Sequence, residues 1–114
     1  MRKKTINKFI KRREIYMIGY VMVGTNNLDQ SIKFYDELLE VLDLERTEKD
    51  EVCAGYSQKN NNGKIEFYVT KPFNKEMATV GNGSQISFQT NSRILVDKFH
   101  DIGVKLGGTS EGSG

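Results

Sequence analysis

Cysteine, histidine and proline each occur once in the 114 residues. The lone Cys53 has no second cysteine for an internal disulfide or at metal-ligand spacing. That excludes a disulfide-stapled secreted scaffold and leaves a reducing, cytoplasmic setting as the expectation. No run approaches the roughly 18 apolar residues of a membrane span, and the basic start lacks the apolar stretch that follows the charges of a signal peptide. With 37% hydrophobic and 10% aromatic residues, the chain suffices for one ordinary core and is too short for two domains.

A strong excess of one charge sign is absent over most of the chain but not at its start. Residues 1–16 hold seven Lys/Arg against one acid, whereas residues 17–114 hold ten against fourteen, which together make the net charge of +2. A basic arm of this kind attracts phosphates. Met17, however, opens a well-patterned strand, so residues 1–16 are read as a basic N-terminal extension with no role in the fold, and neither nucleic acid nor membrane is the expected partner.

Sliding the sequence against itself by 65 positions brings two segments into register. Thr25-Asn26 falls on Thr90-Asn91, Lys33-Phe34 on Lys98-Phe99 and Asp36 on Asp101, with Val21, Val23 and Val41 meeting Ile86, Phe88 and Leu106. Local signals repeat as well. Ile18 to Val23 is β-branched and apolar, as a buried strand requires. Asn26-Asn27 then supply a helix cap, with Asp29 in the first turn, and Leu28, Ile32, Tyr35, Leu39 and Leu42 line one helical face. Strands are expected near Leu44 to Thr47, at Val52 to Tyr56 and at Ile65 to Thr70, the last two joined by a tight turn at Asn60-Asn61-Asn62-Gly63. Pro72 opens a linker through Gly81-Asn82-Gly83. The second copy then begins with an alternating strand, Gln85 to Phe88, and a helix capped by Ser92 with Leu95, Phe99 and Ile102 on its face, ending at Gly103. On this period the second copy is expected to be cut short by about 21 residues at Gly114.

The tandem pattern, with Leu28-Asp29-Gln30-Ser31 leading into Phe34-Tyr35 and with Val96-Asp97-Lys98-Phe99-His100 followed by Gly107-Gly108, resembles small bacterial members of the glyoxalase, bleomycin-resistance and extradiol-dioxygenase (vicinal oxygen chelate) superfamily over residues 17–112. The resemblance implies an α+β domain over residues 17–114 made of tandem βαβββ modules, with a curved mixed sheet around a cleft, helices on its convex side and the last strands of the second module missing. Members often assemble as dimers, so a homodimer is expected.

On that fold, strand alternation sends Val21, Val23, Ile65, Phe67, Val69, Ile86 and Phe88 toward the helices, and Tyr20, Met22, Glu66, Tyr68, Gln85 and Ser87 into the cleft. In metal-bearing relatives the ligand positions correspond to Tyr20, Glu66, Gln85 and a residue beyond Gly114. Glu66 and Gln85 suit a divalent metal such as Zn, Ni, Mn or Fe, whereas a neutral tyrosine is a poor donor. The resemblance therefore implies either a metal-dependent enzyme, lactoylglutathione-lyase-like or dioxygenase-like with Glu66 as ligand or base, or a metal-free protein that sequesters an aromatic or cationic compound between Tyr20, Tyr68 and Met22. The plain alternative for Glu66 is a solvated strand carboxylate. His100 falls on the second helix and is not assigned to metal or to a catalytic triad, Cys53 is expected to be buried and inert, and Gly81-Asn82-Gly83 lacks the setting of a phosphate loop.

Overall fold

The computed structural model describes residues 18–60 and 63–109. The basic extension and the last residues of the chain lie outside that range. Four strands and two helices follow one another as β1 (Val21–Gly24), α1 (Leu28–Glu40), β2 (Leu44–Lys49), β3 (Cys53–Gln58), β4 (Ile65–Thr70) and α2 (Arg93–Lys105). The sheet order is β1-β4-β3-β2: β1 runs parallel to β4, and the other neighbours are antiparallel. A parallel pair requires a long crossover, which α1 and the β2–β3 hairpin provide here.

Helix α1 starts where its cap dictates. The Asn27 side chain accepts a hydrogen bond from the Gln30 backbone N–H at 3.1 Å, and Thr25 Oγ1 accepts one from the Asn27 N–H at 3.1 Å. Helix α2 repeats the device, with the Leu95 N–H on Ser92 Oγ and the Ser92 N–H on Thr90 Oγ1. Both bounds of α2 lie 65 positions after those of α1. Gly103, expected to end the second helix, sits inside it, beside Leu38 of α1. A Cβ there would meet Leu38 Cδ1 at 3.5 Å.

Leu28, Ile32 and Leu39 of α1 close over Ala54, Tyr56, Phe67 and Val69 to form the core. Tyr35, Phe88 and Phe99 extend it, Phe67 meeting Tyr35 at 5.1 Å and Phe88 at 5.3 Å between ring centroids. The Tyr56 hydroxyl donates to Asp36 at 2.8 Å, and Arg46 grips the same carboxylate through two nitrogens, each at 3.2 Å. Burial, reinforced by Asp36, holds the Tyr56 phenol far above the ordinary tyrosine range, so it remains a neutral donor that joins β3 to α1.

Two further expectations require correction. Residues 85–88 are not a strand: among the described residues no ladder partner lies beside them, and a strand exists only as part of a ladder. Ile86 is consequently 41% exposed instead of packed against the helices. Ile65 also leaves the helix side. Tyr56 pairs with Phe67 but Ser57 pairs with Ile65, so one extra residue bulges β4 at Glu66 and inverts the alternation below it. The Ile65 side chain lies over Gly55 alongside Tyr68, where a Cβ on Gly55 would come within 2.8 Å of Ile65 Cδ1 and 2.9 Å of Tyr68 Cε1.

Candidate functional site

The bulge shapes the site. It turns Glu66 away from the face of Tyr68 and toward Gln58 at the end of β3, whose amide donates to Glu66 Oε2 at 2.9 Å. Glu66 then lies on the wall of a cleft of about 670 Å³ between the start of β1, β4 and the segment 86–91. Tyr20 and Ser87 line the same cleft, and Leu42, Leu44, Phe67 and Phe88 supply apolar walls. A mostly apolar concavity with a few convergent polar groups is the usual form of a small-molecule site.

The other sequence-expected residues are placed apart. Met22 and Tyr68 sit opposite each other on the paired strands β1 and β4. Tyr68 packs edge-on against Tyr20 with ring centroids 5.0 Å apart, and its hydroxyl donates to Glu48 at 3.3 Å. Partial burial and the neighbouring carboxylate raise the Tyr68 phenol above its ordinary range. Met22 lines a second cleft of about 820 Å³ along the outer edge of β1. Gln85 is exposed, and its amide nitrogen donates to Ser87 Oγ at 3.2 Å. Gln58 and Glu48, which hold Glu66 and Tyr68, were not singled out from the sequence. Their positions depend on the pairing register of β2, β3 and β4, and the only sequence signal for that register was the Asn-Gly turn.

Three or four protein donors are the usual requirement of a bound zinc, and a hard cation takes six or more oxygens. Among the described residues no three His, Cys, Asp or Glu side chains come together as such a group. Of the expected ligands, the cleft presents one carboxylate, Glu66, beside the neutral phenol of Tyr20, while Gln85 is directed to Ser87. This donor set does not fit a divalent metal by itself. His100 lies on α2 beside Asp101, as its helical position predicted.

Cys53, expected to be buried, is half-buried at the start of β3. Asp50 Oδ1 accepts hydrogen bonds from the Val52 and Cys53 backbone N–H groups at 2.7 and 2.9 Å. Desolvation, with Asp50 and Glu48 nearby, raises the thiol above its ordinary range. Since the thiolate is the reactive form, alkylation of Cys53 is expected to be slow at neutral pH and to keep rising above about pH 8.5, where an unperturbed thiol begins to level off. Rates of iodoacetamide labelling followed across pH 7–10 by mass spectrometry check this, and a plateau below about pH 8.5 would contradict it.

No helix among the described residues is long and apolar enough to cross a membrane. No protein-family model and no curated protein sequence matches the chain. Among solved structures, it is similar to the crystal structure of a glyoxalase/bleomycin resistance protein from Albidiferax ferrireducens T118. The two are 37% identical with a TM-score of 0.74, over 83% of this chain and 75% of that one. Identity of that degree across three quarters of the neighbour, carried on the same mixed α+β fold, means that the chain belongs to the glyoxalase/bleomycin-resistance (vicinal oxygen chelate) superfamily.

Proposed function

We propose that this protein binds a small organic molecule in the cleft between β1, β4 and residues 86–91, and does so without a metal held by these residues. The observation that carries the reading is the convergence of Glu66, Tyr20 and Ser87 within apolar walls of Phe67, Phe88, Leu42 and Leu44. An ionised carboxylate only accepts hydrogen bonds, so Glu66 favours a ligand with a donor or a positive charge. The Tyr20 ring, buttressed by Tyr68, offers an aromatic surface for a flat or cationic body.

A second reading, a metal-dependent enzyme of the lactoylglutathione-lyase or dioxygenase type, is favoured by the likeness to a glyoxalase/bleomycin resistance protein. It requires metal donors beyond Glu66. Thermal unfolding with a panel of cationic aromatic compounds, each with and without EDTA, separates the two. A ligand at about one hundred times its Kd is expected to raise Tm by about 10 °C or more, and the rise is expected to survive the chelator. A rise that appears only with added divalent metal would overturn the metal-free reading.

The same proposal treats the chain as one βαβββ module followed by the opening of a second. The matched bounds and cap hydrogen bonds of α1 and α2, 65 positions apart, support that reading. Its proposed partners are the small molecule and a second copy of the chain, not nucleic acid or membrane, and the free Cys53 suits a reducing cytoplasm.

A further inference from the structure

The segment from Pro72 to Ser84 crosses from the end of β4 toward the outer edge of β1. Among the described residues two hydrogen bonds tie it to the rest, and both go to Asn26. The Ala78 N–H donates to Asn26 Oδ1 at 2.7 Å, and Asn26 Nδ2 donates to the Ala78 carbonyl at 3.3 Å. Within the segment Phe73 and Val80 are almost wholly exposed and Met77 is largely so. The backbone takes positive φ at Lys75 (66°), Gly81 (66°) and Gly83 (98°). Between the segment and β1 lies the cleft of about 820 Å³, lined by Met22, Thr25 and Tyr35 on one side and by Ala78, Thr79 and Val80 on the other.

We propose that Pro72–Ser84 is a strap, pivoting at Lys75 and at Gly81–Gly83, that closes over this cleft when Asn26 releases Ala78 and brings Met77 and Val80 down toward Met22. The described position is the open one: its large apolar groups are in water, and its tether is a pair of exposed hydrogen bonds that cost little to exchange for water. An apolar guest in the cleft supplies what the strap lacks, since closing on it removes Met77, Val80 and Met22 from water together. The inference concerns a different cleft from the one holding Glu66 and does not depend on it.

A cross-link tests the strap directly. A Cβ built on Gly24 would stand 3.3 Å from Ala78 Cβ, close to the roughly 3.5–4.5 Å that a disulfide spans. The variant Gly24→Cys with Ala78→Cys, in a Cys53→Ser background, locks the strap open when oxidised, and the same sample reduced with dithiothreitol is its own folding control. The probe is 1-anilinonaphthalene-8-sulfonate, read by fluorescence titration. Oxidation is expected to weaken dye binding about fivefold or more relative to the reduced sample, while Asn26→Ala, which removes the latch, tightens it by about as much. Equal affinities in the oxidised, reduced and Asn26→Ala forms, or tighter binding when oxidised, would overturn the proposal.

Discussion

Phe67→Ala is expected to lower the unfolding free energy by about 3–5 kcal/mol, enough to leave much of the population unfolded at 37 °C. The ring is 2% exposed and stands at the centre of an aromatic cluster, 5.1 Å from Tyr35, 6.2 Å from Tyr56 and 5.3 Å from Phe88 between centroids. These contacts join α1, β3, β4 and the segment before α2. Removing the ring therefore opens a cavity whose walls belong to different elements and cannot all collapse inward together. Urea unfolding followed by circular dichroism gives the value. A loss under about 1 kcal/mol would mean that the core is held elsewhere. Because Phe88 has no ladder of its own and is anchored by rings, the substitution is also expected to loosen residues 85–91, visible as faster amide exchange there than in α1.

Glu66→Gln is expected to weaken binding of a cationic aromatic ligand about 10- to 100-fold while changing the stability of the free protein by less than about 0.5 kcal/mol. The two side chains have nearly the same shape, and glutamine still offers an oxygen to Gln58, so packing and the local hydrogen bond are retained. The change removes the negative charge, and hydrogen bonds to a charged group are worth about 1.5–3 kcal/mol. Calorimetric titration on the wild type and the variant decides the matter. Equal affinities would remove Glu66 from the site. A comparable loss for neutral ligands would mean that the cleft had changed shape and that charge was not the cause.

The residue types of the candidate site were legible in the chain, but their grouping was not. Alternation named Tyr20, Glu66 and Ser87 as the lining of a concave face opposite the helices, whereas the cleft they line also takes in Val21, Phe67 and Phe88, which alternation sends toward the helices. Strand alternation also placed Glu66 on the same face as Tyr68, and there it failed, because period two assumes an unbroken ladder and β4 carries a bulge at Glu66. The same step moved Ile65 from the helix side to the face above Gly55. Gln85, an expected ligand, turned to its own neighbour Ser87 once its segment lay outside the sheet.

What the sequence determined by itself was local. The spacing of Leu28, Ile32 and Leu39 and the caps at Asn27 and Ser92 specify both helices, because the interactions involved span no more than a few residues and are written within the segment that makes them. The 65-residue period likewise survives in the helix bounds and in their cap hydrogen bonds. Only the tertiary structure decided the sheet order, the bulge and the fate of residues 85–88. Each of these depends on which backbone groups find a partner far away in the chain, and a strand's own residues do not specify that partner.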